Sequence, residues 1–105
     1  MSEIPGFKKT LDKMFEIHKK KNSDYAGKED PFANFRMASK MNICDDETAI
    51  MIRLTDKFSR LITLKNSKDG PQVQDEKFED TLIDAANYLI IWKCLREQNS
   101  KVNKK

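Results

Sequence analysis

The last helical stretch of this chain carries carboxylates where a buried helix would ordinarily be apolar. Glu76, Asp80 and Asp84 recur every four residues, so at about 100° per residue they share one stripe of a helix, which Asn87 joins. Apolar side chains cover most other directions: Phe78, Leu82, Ile83, Ala85, Ala86, Leu89, Ile90, Ile91 and Trp92. A helix that is apolar on most sides is normally buried. Because buried carboxylates are costly unless a cation meets them, the stripe predicts a divalent metal ion or a set of Arg and Lys partners.

The length and composition of the chain predict one small domain with a thin core. Only 38% of the 105 residues are hydrophobic, whereas 35% are charged. We therefore expect a homo-oligomer, in which subunits complete one another's core. The net charge of +3 comes mainly from residues 19–21 and from the lysines of the C-terminal tail. Such a tail is more often a solvated end than a nucleic-acid contact, so no nucleic-acid partner is expected.

The cysteines and the absence of long apolar runs predict a cytoplasmic protein. Cys44 and Cys94 do not form a Cys-x-x-Cys pair, and no secretory signal pattern is visible. No apolar run approaches the roughly 18 residues that a membrane-spanning helix needs. We expect free thiols in a reducing compartment and no membrane partner.

Hydrophobic spacing and turn-forming residues predict helices along almost the whole chain. Apolar residues recur with helical spacing, and Asn, Asp, Gly, Ser and Pro cluster between the helical segments. The predicted fold class is all-α, a single-domain helical bundle of about four helices over residues 1–98, followed by a basic, disordered tail at 99–105. The predicted helices run from about Pro5 to Asn22, from Phe32 to Met41, from a cap at Asp45 or Asp46 to Lys65, and from Gln74 to Gln98.

The third predicted helix carries a second cluster of charges. Arg53, Asp56 and Arg60 stand at i, i+3 and i+7, with Lys57 beside them, so these side chains share one face. The neighbouring stripe is apolar: Ile50, Leu54, Phe58, Leu61 and Ile62. If that stripe packs on the last helix, the charged face borders the acidic row.

Two interpretations of these charges remain open. Carboxylates from two facing helices can build a metal site inside a bundle, and an all-oxygen ligand set suits Mg²⁺ or Mn²⁺. The candidate ligands are Asp56, Glu76, Asp80 and Asp84. Alternatively, Arg53 and Arg60 pair with the acids of the last helix in a structural ion network.

The segment after the first helix combines a cation, an acid, two aromatic rings and an amide. These are Lys21, Asp24, Tyr25, Asn34 and Phe35. Aromatic faces and amides can stack on a base and hydrogen-bond to its edge or sugar. In the alternative interpretation Asp24 and Asn34 cap turns, while the two rings pack over the end of the bundle.

Four ordered motifs, spread over about residues 18–95, resemble a known family. They are Lys21-Asn22-Ser23-Asp24-Tyr25, Phe32-Ala33-Asn34-Phe35, Arg53-Leu54-Thr55-Asp56-Lys57-Phe58-Ser59-Arg60, and Asp75-Glu76 followed by the segment from Glu79 to Tyr88. Together they resemble the nucleotide-modification-associated domain of type 1, a small domain found mainly in phages and prophages. That domain is distantly similar to the all-α nucleoside triphosphate pyrophosphatases of the MazG and dimeric dUTPase-like group.

The resemblance implies an Mg²⁺- or Mn²⁺-dependent enzyme that cleaves an NTP or dNTP to the monophosphate and pyrophosphate. It also implies a homo-oligomer in the cytoplasm of a bacterial host, encoded by a phage or prophage. The implied catalytic and metal-binding residues are Asp56, Glu76, Asp80 and Asp84. The implied substrate-binding residues are Lys21, Asp24, Tyr25, Asn34, Phe35, Arg53, Lys57, Arg60, Asn87 and Tyr88.

The chain departs from the acidic motifs of those pyrophosphatases. They use Glu-x-x-Glu on one helix and Glu-x-x-Asp on the next, whereas Asp80 and Asp84 here are four residues apart. Asp46 or Glu47 could begin the first motif, but Arg53 stands where an acid would be expected.

The sequence therefore leaves two further functions open besides pyrophosphatase activity. One is a nucleotide-binding protein without turnover, which sequesters a nucleotide signal or assists DNA modification. The other is a structural oligomer or host-interaction protein.

Overall fold

The computed structural model of the chain is all-α. It describes the backbone of residues 2–25, 32–66 and 71–103, and the side chains of residues 2–21, 32–66 and 77–101. Four helices form within these ranges: α1 (Phe7–Tyr25), α2 (Ala33–Lys40), α3 (Asp46–Lys65) and α4 (Pro71–Asn103). The same ranges contain no strand, and the predicted all-α class is confirmed. No helix among the described residues combines the length and the apolar character that crossing a membrane requires.

The last helix is longer at both ends than its sequence pattern predicts. Pro71 is its first residue, a position that proline favours because its fixed φ suits the first turn and its missing N–H needs no partner there. At the other end, Glu97 pairs with Lys93 at 2.6 Å and with Lys101 at 4.0 Å. Such i,i+4 pairs support a helix. α4 continues through Asn103, whereas the predicted helix ends at about Gln98; the disordered tail stays a prediction.

A tight turn ends α2 and sets its direction relative to α3. Asn42 has a positive φ of 60°. The Ile43 N–H donates to the Ala38 carbonyl at 2.9 Å, and the Asn42 N–H donates to the Ser39 carbonyl at 3.1 Å. This is the Schellman arrangement, in which asparagine can take the left-handed position that usually requires glycine.

Asp45, one of the two caps that the sequence allows, caps the start of α3. Its side chain accepts a hydrogen bond of 2.7 Å from the backbone N–H of Thr48. This hydrogen bond holds the pKa of the Asp45 carboxyl below its ordinary value, because it favours the charged form.

Residue contacts divide the chain into two compact units, Met1–Asn34 and Phe35–Lys105. The first unit contains α1, on which Met14 is buried while Phe7, Leu11 and Phe15 remain exposed. The prediction of a single domain over residues 1–98 stays a prediction.

In the second unit α3 and α4 pack side by side in antiparallel orientation. The orientation follows from two contacts: Glu47 near the start of α3 pairs with Arg96 late in α4, and Lys57 further along α3 pairs with Asp84. Among the side chains of this unit that the structure describes, the buried apolar ones are Phe35, Ile50, Leu54, Ile83, Ala85 and Leu95, of which Ile50 and Leu95 are fully buried.

Polar contacts join all three helices of this unit at the beginning of α3. Arg36 Nη1 donates to Asp46 Oδ2 at 3.1 Å and to Asn99 Oδ1 at 3.4 Å. The Ser39 hydroxyl donates to Asp46 Oδ1 at 2.6 Å. Arg36 therefore ties α2 to both α3 and α4.

The neighbouring acid of α3 makes a second set of contacts to α4. Glu47 Oε1 accepts hydrogen bonds from Trp92 Nε1 at 2.7 Å and from Arg96 Nη1 at 3.1 Å. Glu47 and Asp46, which the sequence allows as the start of a metal-binding motif, thus hold the helices together.

Candidate functional site

A cleft of about 330 Å³ opens beside α3 and α4, lined by Arg53, Asp56, Lys57, Arg60 and Tyr88. The four α3 residues reach it together because spacings of three, four and seven residues repeat on one helical face. Tyr88 comes from α4. The structure thus brings together the charged cluster that the sequence places on α3 and one aromatic residue of the acid-striped helix.

Two aromatic rings support the cations of this cleft. The Phe35 and Tyr88 rings pack edge to face, with centroids 6.1 Å apart and an interplanar angle of 89°. The Arg53 guanidinium lies over the Phe35 ring at 5.0 Å, and Lys57 Nζ lies 6.0 Å from the centre of the Tyr88 ring. Phe35 itself is buried. With Arg53 over its face, Phe35 supports a cation in this structure.

One acid of the α4 stripe pairs with a lysine of the cleft. Lys57 Nζ lies 3.3 Å from Asp84 Oδ2, and both side chains are largely screened from solvent, with 22% and 21% exposed. Three cations (Arg53, Lys57, Arg60) and two carboxylates (Asp56, Asp84) give this group a net charge of +1. Asp84 thus occupies one hydrogen-bonding direction of Lys57 that an incoming anion could take.

The structure does not assemble the predicted metal ligands among its described side chains. Asp56 and Asp80 are exposed, Asp84 pairs with Lys57, and the Glu76 side chain lies outside the described residues. No group of three or more His, Cys, Asp or Glu side chains suited to a metal ion occurs within the described part of the chain. The metal site of Asp56, Glu76, Asp80 and Asp84 stays a prediction.

The other predicted substrate-binding residues are distributed between the two units. Lys21 is exposed on α1, and Asn34 is half-buried near the start of α2; both belong to the first unit. Asn87 is half-buried on α4. The side chains of Asp24 and Tyr25 lie outside the described residues.

The supporting role of Phe35 and the pairing of Lys57 with Asp84 are the features of the site that the sequence did not reveal. Phe35 lies 18 residues before Arg53, and Lys57 lies 27 residues before Asp84. No local pattern links residues so far apart, because their contact depends on how the helices pack.

Comparison with known proteins adds no further information about this cleft. No family model, no curated protein and no solved structure matches the chain. The resemblance to the nucleotide-modification-associated domain therefore stays a prediction, and the function has to be argued from the cleft itself.

Proposed function

We propose that the cleft binds the phosphate groups of a nucleotide. The observation that carries this proposal is the convergence of Arg53, Lys57 and Arg60 on one cleft beside the Tyr88 ring. Guanidinium groups bind phosphate oxygens in pairs, and a lysine ammonium adds a compact positive charge.

The positions of the cations suit an extended anion. Arg53 and Arg60 are separated by seven residues of α3, or about 10 Å along the axis at a rise of about 1.5 Å per residue. Lys57 lies between them on the same face. Cations spread over this length can contact successive groups of a di- or triphosphate. The contact with Phe35 restrains Arg53 before any ligand arrives, which lowers the entropy cost of binding.

Tyr88 supplies a different kind of contact at the same cleft. Its ring is half-buried and lines the cleft wall, while its hydroxyl can donate or accept a hydrogen bond. A ring and a hydroxyl beside three cations suit a ligand that joins phosphates to a sugar or base. This combination is the reason for proposing a nucleotide rather than inorganic phosphate.

A second candidate function is hydrolysis of the bound nucleoside triphosphate to monophosphate and pyrophosphate. It is favoured by the Asp56 carboxylate, which lines the same cleft as the cations, and by Asp84 one contact away. Carboxylate oxygens suit Mg²⁺, which when bound would neutralise phosphate charge. Arg53 and Arg60 would stabilise charge on the phosphates as water attacks the α-phosphorus and pyrophosphate leaves. Asp84 would have to leave Lys57 to serve as a ligand.

Asp84→Asn distinguishes the two functions. If the cleft only binds, this change removes a negative charge beside Lys57, and nucleotide affinity rises. If Asp84 holds Mg²⁺ for hydrolysis, the same change abolishes Mg²⁺-dependent pyrophosphate release.

The test is calorimetric titration with nucleoside mono-, di- and triphosphates, in Mg²⁺ and in EDTA, with pyrophosphate measured in the same samples. We expect Arg60→Gln to weaken triphosphate binding about 10- to 150-fold, since a charge-assisted hydrogen bond contributes about 1.5–3 kcal/mol. Lys65→Gln is the matched control, because it removes a positive charge from the same helix outside the cleft. Binding that is absent for every nucleotide, or equally weakened by Lys65→Gln, would overturn the proposal and favour the structural or host-interaction function.

A further inference from the structure

A row of apolar side chains remains exposed along the middle of α4. Leu82, Leu89 and Ile90 are each about half exposed, and the small residue Ala86 lies between them. Spacings of four and three residues place Leu82, Ala86 and Leu89 in one line along the helix, as in the seam of a coiled coil.

α3 carries a matching row on the side that faces away from the cleft. Met51, Phe58 and Ile62 are each about half exposed or more, and their spacings of seven and four residues place them on one face. Arg53 and Arg60 lie on the opposite edge of the helix. The cleft and the apolar row of α3 therefore point in different directions.

The ion pair between Glu47 and Arg96 shows that the two apolar rows adjoin. Glu47 lies four residues before Met51 on α3, and Arg96 lies seven residues after Leu89 on α4. Both members of the pair are thus in line with the apolar rows. Since their side chains are 3.1 Å apart, both rows lie on the same side of the helical pair.

The two rows together form an exposed apolar surface. Each of their six large apolar side chains is about half exposed or more: Met51, Phe58, Ile62, Leu82, Leu89 and Ile90. Single exposed apolar residues are common on proteins, whereas contiguous exposed apolar patches of several hundred Å² mark protein–protein contacts. The two rows therefore indicate a contact with another protein surface.

The charges at the ends of the α4 row are self-complementary. Glu79 and Lys93 are both exposed, and each lies seven residues from Ala86, on the same line of the helix. A two-fold axis at Ala86 would set α4 antiparallel to α4 of a second copy. Glu79 of each copy would then face Lys93 of the other, and Leu82 would face Ile90.

We propose that this surface binds a second copy of the chain, through an antiparallel α4–α4 contact centred on Ala86. The symmetry of Glu79 and Lys93 about Ala86 selects a second copy over an unrelated partner, because an isologous contact requires a self-complementary surface. The dimer does not depend on the proposed function of the cleft, which opens on the other side of α3.

The test is sedimentation equilibrium of the full chain from micromolar to several hundred micromolar concentration. We expect a monomer–dimer equilibrium. Glu79→Lys and Lys93→Glu should each weaken dimerisation on the order of tenfold, since each places like charges opposite one another twice. The double variant Glu79→Lys/Lys93→Glu should restore dimerisation. Lys40→Glu, an exposed charge reversal on α2, should leave it unchanged.

Helix content measured by circular dichroism separates loss of contact from loss of structure. Lys93 also pairs with Glu97 on its own helix, and the double variant does not repair that pair. Restored dimerisation can therefore come only from the contact between copies. Leu89→Asp should give a monomer with unchanged helix content, since Leu89 is half exposed in one copy. A chain that is monomeric at every concentration, or a double variant as weak as the single ones, would overturn the proposal.

Discussion

The pairing of Lys57 with Asp84 leads to a quantitative prediction about stability. The pair joins α3 to α4 at the level of the cleft, and each side chain is about one-fifth exposed. Lys57→Met removes the cation and keeps the length of the side chain, whereas Asp84→Asn removes the charge and keeps the shape. Combining the two changes in a double-mutant cycle isolates the interaction between the two groups from their other contacts.

The expected coupling is about 1.5 kcal/mol. At an effective dielectric constant of about 20, unit charges separated by 3.3 Å attract by about 5 kcal/mol. Loss of hydration offsets most of this attraction, because both groups are largely removed from water. The coupling free energy should exceed the ~0.2–1 kcal/mol measured for exposed pairs. It should fall below the ~3–5 kcal/mol that is lost when one partner of a buried pair is removed.

Urea unfolding followed by circular dichroism gives the free energy of unfolding of the four proteins in this cycle. A coupling below about 0.5 kcal/mol, the scatter found for independent sites, would refute the reasoning. It would mean that solvent separates Lys57 from Asp84, and that Asp84 does not compete with an anion for the lysine.

Three further predictions concern the packing of α3 on α4 and the cap of α3. Glu47→Ala should lower the free energy of unfolding by about 1–3 kcal/mol because it removes the acceptor of Trp92 Nε1, and the fluorescence of Trp92, the single tryptophan, should report it; an unchanged spectrum would contradict the contact. Leu95→Ala should cost about 2–5 kcal/mol in urea unfolding because Leu95 is fully buried, whereas Met37→Ala, at an exposed site, should cost far less. Asp45 has a lowered pKa in the folded chain, so its stabilising effect is complete above its ordinary value of 3.8 and is lost as pH falls toward the folded value. Thermal melting at pH 6 and pH 3 should therefore show a larger destabilisation on acidification for the natural chain than for Asp45→Asn; equal losses would contradict the assignment.

Features determined by neighbouring residues were predictable from the sequence. Helical spacing gave the all-α class. The two candidate caps, Asp45 and Asp46, located the start of α3 to within one residue, because a capping side chain bonds to an N–H only three residues away. The grouping of Arg53, Asp56 and Arg60 was equally accessible, since one helix face fixes their relative positions whatever packs against it.

Contacts between helices were not predictable in the same way. The sequence left a metal site and an ion network as alternatives and named Arg53 and Arg60 as partners of the acids, but the structure pairs Asp84 with Lys57. Which cation meets Asp84 depends on the rotation and axial register of α3 against α4. Both are set by buried side chains such as Ile50 and Leu54, whose effect is cooperative and cannot be read from spacing along one helix.

The turn at Asn42 sets the angle between α2 and α3, and the position of Phe35 at the cleft depends on that angle. Because Asn42 adopts a left-handed backbone conformation, α2 stops there and returns toward α3, which brings Phe35 beneath Arg53. A β-branched residue at this position would resist that conformation at a cost of about 1–2 kcal/mol. The packing of α2 on α3 would be lost first. Arg53 would then lose its contact with the Phe35 ring, while the contacts between α3 and α4 remained. Asn42 lies outside the cleft, yet its backbone conformation determines whether Arg53 is held in place before a ligand binds.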